Sequence, residues 1–180
     1  SRRVLCKIID AEVAKLGGDA SKLVVLGFSQ GGNMAYDVAL SYSAQLGGLI
    51  ARRTSLRNES QLGPHRRLQI THYHGEKDDG IGCNRGKAGV ARLQAAGFAH
   101  VTLNTEPDLN HVDYSSKEME VYAAFLISLF PHLSTTARTE VAAASQSHRS
   151  SGLRAWRGNA GRFPAGARSG RPFRAVPVHG

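Results

Sequence analysis

The chain has 180 residues (19.3 kDa), 41% of them apolar and 21% charged, the composition of a globular domain with a real core. No run approaches the roughly 18–20 uninterrupted apolar residues of a membrane-spanning helix, so no integral membrane segment is expected. Two cysteines, Cys6 and Cys83, exclude a disulfide scaffold, and without a CxxC there is no zinc-ribbon signal; this usage fits a reducing compartment, and a cytoplasmic location is expected. The first residue is Ser1 and no apolar leader core follows, so the chain reads as a fragment of a longer protein.

In chain order, Val4, Leu5, Ile8, Ile9, Val13 and Leu16 recur at helical spacing, and Gly17-Gly18 ends the helix. Leu23-Val24-Val25-Leu26 is a continuous apolar run, the pattern of a strand buried on both faces. A helix is predicted from Gly31 to about Ser43, a second buried strand over Leu46 to Ala51, and a polar loop from Arg52 to Arg67. A third strand follows over Leu68 to Tyr73. A helix over Gly86 to Ala96 is closed by Gly97, a β-rich strand covers Val101 to Thr105, and an amphipathic helix runs from Ser115 to Phe130 before Pro131. The order α-β-α-β-β-α-β-α predicts an α/β fold with a mostly parallel sheet flanked by helices on both faces.

The net charge of +9 is unevenly placed: residues 134–180 carry eight arginines and one acid, leaving the preceding 133 residues at +2. The sequence thus divides into a domain at 1–133 and a basic Arg/Gly/Ala-rich tail at 134–180. The tail has neither helical nor strand periodicity and is expected to be disordered. A basic arm that touches RNA or acidic lipid is one reading of it, a dispensable extension the other. Composition favours the second, the tail's aromatics being sparse (Trp156, Phe163, Phe173), and no nucleic-acid partner is expected.

Three loops that follow strands carry chemistry. Gly27-Phe28-Ser29-Gln30-Gly31 is a G-x-S-x-G pentapeptide between a buried strand and a helix. A nucleophile on so sharp a turn needs strained backbone angles, and small residues two positions to either side let neighbouring chains approach. The turn would expose the Ser29 hydroxyl at a helix N-terminus and aim the Gln30 N–H at a developing oxyanion. The second loop is His74-Gly75-Glu76-Lys77-Asp78-Asp79. A serine needs a base and the base needs a carboxylate, and either Asp78 or Asp79 stands in the right topological place. The third holds His111, between the last strand and the last helix. Five other histidines precede the tail, but only His111 combines a loop after a late strand with the nucleophile–acid–base order of α/β-hydrolases.

Together, Leu26-Gly27-Phe28-Ser29-Gln30-Gly31-Gly32, His74-Gly75-x-x-Asp78 and His111 before a terminal amphipathic helix resemble the carboxylesterase/phospholipase family that includes the acyl-protein thioesterases. The resemblance covers roughly residues 1 to 133. It implies a partial α/β-hydrolase fold, a Ser29–His111–Asp78 triad with Gln30 in the oxyanion hole, and no cofactor. It also implies hydrolysis of acyl esters or thioesters, with acylated (palmitoylated) proteins, lysophospholipids or small esters as substrates. A small-ester carboxylesterase and a catalytically inactive truncated homologue are the alternatives. Gly82 stands where the family's proline ends the acid turn, Asn110 and Val112 flank the histidine, Ala51-Arg52-Arg53-Thr54 replaces a Leu-Ser-Gly-like run, and Asn33 and Tyr36 alter the start of the nucleophile helix. The family has further strands before the nucleophile strand, and a loop there supplies a second oxyanion donor, whose loss typically costs on the order of 10²–10³ in rate. Only about 22 residues precede Leu23 here, so the nucleophile strand is expected to be a raw apolar edge.

Overall fold

A computed structural model of the chain describes residues 2–131. All of these lie in the first of two units into which the chain divides, residues 1–145. The tail expected from Ser134, and His132 before it, lie outside the described residues.

Four strands, β1 (Val24–Phe28), β2 (Gly48–Arg52), β3 (Ile70–Gly75) and β4 (Val101–Glu106), form a sheet in the order β1-β2-β3-β4, parallel throughout. The helices are α1 (Arg2–Lys15), α2 (Gln30–Ser41), α3 (Cys83–Ala95) and α4 (Ser116–Leu129), with a single 3₁₀ turn at Ala20–Lys22. The element order matches the sequence reading. Gly17 and Gly97 adopt φ of +74° and +84°, the left-handed angles that close α1 and α3.

Strand alternation divides the core into two layers. On one face, α1, α2 and α3 bury Ile9, Tyr36, Val38, Leu40 and Leu93 against Leu49, Ala51 and Ile70. On the other, Tyr122, Met119, Phe125 and Leu126 of α4 cover Ile50, Tyr73 and Val24. Because parallel strands advance one position at a time, α2 and α3 share a face and α4 crosses to the opposite one. All four strands therefore end on the same rim, where the loops bearing Ser29, Asp78 and His111 emerge.

Two expectations for β1 part here. The apolar run Leu23–Leu26 predicts burial on both faces and the family comparison a raw apolar edge; Leu26 is 55% exposed and only Gly27 of β1 is fully buried, so the first fails. The cause is position: β1 pairs only with β2 among the described residues, and the cluster formed with α4 takes in Val24 but not Leu26. Val4 and Ile8 on the neighbouring α1 are exposed too, and the strip between α1, β1 and α2 forms an apolar groove of about 310 Å³.

Candidate active site

Ser29 occupies the single residue between β1 and α2, at φ 53°, ψ −123°. A left-handed φ is costly for a residue with a Cβ, on the order of 1–3 kcal/mol, and persists only when neighbours over-determine it. They do so here. The Ser29 N–H donates to the Arg52 carbonyl (3.0 Å), and the Ser29 carbonyl accepts from Gly32 N–H (3.0 Å) and from the Thr54 hydroxyl (2.7 Å). Gly27 permits the elbow: a Cβ there would lie 2.4 Å from the Gly31 carbonyl oxygen and 2.7 Å from the Ala35 Cβ. The expectation that Gly31 is equally necessary does not hold, since a Cβ there would meet nothing within 4 Å.

The loop after β3 bends so that Asp78 points back under the rim. Its side chain is wholly buried, and Oδ1 accepts from the backbone N–H groups of Gly80 (3.0 Å) and Ile81 (2.7 Å). Asp79, the other candidate, is exposed; its N–H donates to Asn110 Oδ1 (3.1 Å). Gly82 has φ −53°, the angle a proline would impose, so this departure from the family pattern leaves the turn's backbone unchanged.

His111 joins the two loops. Its Nδ1 is 2.9 Å from both Asp78 carboxylate oxygens, and its Nε2 is 2.9 Å from Ser29 Oγ. The ring packs against Phe28, centroids 5.0 Å apart, and its side chain is 15% exposed. Asn110 ties the base loop to the acid loop, its Oδ1 accepting from both His111 N–H (2.6 Å) and Asp79 N–H. Val112 is 80% exposed and touches none of this. Gln30 is the first residue of α2, so its N–H has no acceptor within the helix and lies beside the Ser29 hydroxyl along the chain. Of the other described histidines, His65 bonds the Tyr42 carbonyl, His100 is exposed just before β4, and His74, bonded to His72, lies 3.2 Å from Asp78 Oδ2.

Sequence reasoning missed a buried charge network beneath the His111 loop. Arg53, read as part of a polar loop, is 0% exposed and has φ 44°. Its Nη1 donates to the carbonyls of Asn110 (3.0 Å) and His111 (2.7 Å), and its Nη2 donates to Glu118 Oε2 (2.7 Å). Arg52 Nε (3.0 Å) and the Tyr122 hydroxyl (2.7 Å) complete the coordination of Glu118. Ser115 caps α4 by accepting from the Glu118 N–H. The Arg-Arg pair marked as a departure from the family was the available signal, but its partners lie 57 to 66 positions away. Asn33 and Tyr36, the other departures, bond Thr54 and His72 respectively.

A parallel sheet with a serine on a strained strand-to-helix turn and a histidine reaching it from beyond the last strand defines the α/β-hydrolase class. Within that class, the profile of the phospholipase/carboxylesterase family matches residues 1–129, and the chain belongs to this family. It is 29% identical over 117 residues to acyl-protein thioesterase 1 of Gibberella zeae, covering 61% of this chain and 49% of that protein. It is 34% identical over 110 residues to a probable carboxylesterase of Oryza sativa, covering 58% of this chain and 46% of the relative. The chain thus spans about half the length of these relatives. Among solved structures, Arabidopsis thaliana SOBER1 superimposes with a TM-score of 0.65 at 25% identity, covering 72% of this chain and 62% of that one.

Proposed function

We propose that the chain carries the catalytic machinery of a serine hydrolase that cleaves acyl thioesters or carboxylic esters. The observation that carries this reading is the unbroken hydrogen-bonded line from Asp78 through His111 to Ser29, with 2.9 Å at each link. In the mechanism, His111 Nε2 accepts the Ser29 hydroxyl proton as Oγ attacks the acyl carbonyl. Asp78 holds the imidazole with its proton on Nδ1 and stabilises its charged form. The Gln30 N–H donates to the oxyanion, at the positive end of α2. Protonated His111 then delivers its proton to the departing thiolate or alkoxide, and water activated by the same imidazole releases the acid. No step calls for a metal or cofactor.

The relatives named as an acyl-protein thioesterase and a probable carboxylesterase support acylated proteins and small esters as substrate classes, and lysophospholipase-like protein 1 of Mus musculus, 27% identical over 135 residues, adds lysophospholipids. A soluble cytoplasmic protein fits this reading. The exposed edge of β1 favours a second one: an assembled triad with low turnover, because Gln30 is the one oxyanion donor identified among the described residues. Hydrolysis of short- and long-chain acyl thioesters and esters separates the two. The hydrolase reading expects turnover that Ser29→Ala abolishes; turnover at the background rate in the unmodified chain favours the second reading.

A further inference from the structure

Behind the acid turn runs a second line of hydrogen bonds that the proposed chemistry does not use. Tyr36 Oη lies 2.8 Å from His72 Nδ1, and His72 Nε2 lies 3.0 Å from His74 Nδ1. His74 Nε2 lies 2.6 Å from the Ile81 carbonyl oxygen and 3.2 Å from Asp78 Oδ2. Tyr36, His72 and His74 are each 0% exposed. The line therefore starts in the core under α2, crosses β3 through two side chains on one face, and ends at the Ile81 carbonyl, beside the carboxylate that faces His111.

Its direction follows from the chemistry of its last member. A carbonyl oxygen only accepts, so His74 Nε2 carries a proton. A neutral imidazole has one N–H, so His74 Nδ1 accepts and His72 Nε2 must donate. His72 Nδ1 then accepts in turn, and the Tyr36 hydroxyl donates to it. Each link determines the next. The reversed order would require a doubly protonated His74. Burial opposes that: desolvation holds His72 down at about 3, with the nearby His74 adding to the effect, and desolvation lowers His74 as well, against the opposing pull of the Ile81 carbonyl and Asp78. Besides His72, the titratable and charged groups facing His74 are Asp78, His111 and Arg53, of which the last two also disfavour its cation. Helix α3 closes over the pair at Gly86, where a Cβ would lie 2.5 Å from His74 Nδ1 and 2.7 Å from His72 Nε2, wedged between the bonded nitrogens.

We infer that His74 is a positioning residue for Asp78: its Nε2–H, donating to the Ile81 carbonyl, holds the acid turn whose N–H groups bind Oδ1 and keeps the imidazole edge 3.2 Å from Oδ2, while the His72 N–H fills its other nitrogen. The inference rests on the Ser29–His111–Asp78 reading. Oδ1 of Asp78 is served by two backbone N–H groups, whereas Oδ2 has His74 and His111 as its neighbours. Without His74, the buried Ile81 carbonyl loses its donor, and the turn that presents the Gly80 and Ile81 N–H groups to Oδ1 would loosen.

Ring-nitrogen NMR of the full chain tests this, together with the downfield proton of His111 Nδ1–H and the rate of Ser29 labelling by a fluorophosphonate. Both His72 and His74 are expected to show a protonated Nε2 and a bare Nδ1 at about pH 7.5. A charged His74 or a proton on His74 Nδ1 overturns the inference. His74→Gln, whose amide supplies an N–H close to the Nε2 position, should keep the His111 proton and most of the labelling rate. His74→Leu should lose that proton and slow labelling roughly 10–100-fold, the cost of leaving the buried Ile81 carbonyl without its donor. His74→Asn, whose shorter amide meets His72 near the Nδ1 position and falls short of Ile81, provides the second variant should His74→Leu fail to fold. It should weaken the His111 proton and slow labelling in the same direction. An unchanged His111 proton and labelling rate in both His74→Leu and His74→Asn overturns the inference. If the unmodified chain is not labelled at all, the Ser29 reading fails, while the nitrogen spectrum and the His111 proton still decide the role of His74.

Discussion

The two adjacent carboxylates of the acid turn differ in everything but sequence. Asp78 is buried with two N–H donors and an imidazole; Asp79 is exposed. Asp78→Asn should lower esterase turnover or Ser29 labelling by on the order of 10⁴-fold through the wrong His111 tautomer, while Asp79→Asn should change it by less than about threefold. His72 predicts a pH effect on stability. Its folded value of about 3 lies below the usual 6.5, so the unfolded chain binds the proton more readily between those values. Stability is then complete above about pH 6.5 and falls as pH drops toward 3, by about 2–3 kcal/mol between pH 7 and pH 4.5. Urea melts at the two pH values should show this, and His72→Gln should flatten the dependence. The triad candidates were legible because each sits in a local pattern: a pentapeptide, an acid turn, a loop histidine after a late strand. Arg53 and His72 were not, because what defines them is partners 36 to 65 positions distant that only folding brings near.

At the scale of elements, the His111 loop is held from below by the Arg53–Glu118 pair, with both side chains at 0% exposure. Removing one partner of a buried pair strands the other, so Arg53→Met should cost about 3–5 kcal/mol. Among the described residues Arg53 Nε has no hydrogen-bond partner, which makes the pair costly to keep. The double variant Arg53→Met/Glu118→Leu should therefore recover most of the stability in denaturant melts. It should not recover Ser29 labelling, because the Asn110 and His111 carbonyls remain without their donor. Gly82→Pro is expected to be neutral or stabilising by up to ~1 kcal/mol in the same melts, since the backbone angle already suits proline. The helices and strands themselves were readable from period and punctuation. The loop between β2 and β3 was not, since its polarity signals solvent and gives no hint that Thr54 and Arg53 turn inward to brace Ser29 and His111.

At the scale of the whole molecule, the sheet has an open side among the described residues. Leu26 and Ile8, 55% and 53% exposed, line one groove, with Val4 of α1 61% exposed, and an apolar strand edge of this kind templates association. Leu26→Lys should reduce binding of a hydrophobic dye and raise solubility, with a change in stability within about 0.5 kcal/mol because the side chain is already half in water. The apolar run of β1 reads as a fully covered strand for a reason that is physical: its residues are composed for two buried faces, and no local pattern tells whether the neighbour that would bury them is present. The rim on the other side of the same strand is nonetheless assembled. The central claim is that Ser29, His111 and Asp78 form a working nucleophile on this rim. The most direct test is treatment of the chain with a fluorophosphonate, followed by mass spectrometry of the tryptic peptides. The account predicts one adduct, on Ser29, absent from Ser29→Ala and strongly slowed in His111→Ala. Labelling that persists in Ser29→Ala, or its absence from the folded unmodified chain, would contradict it.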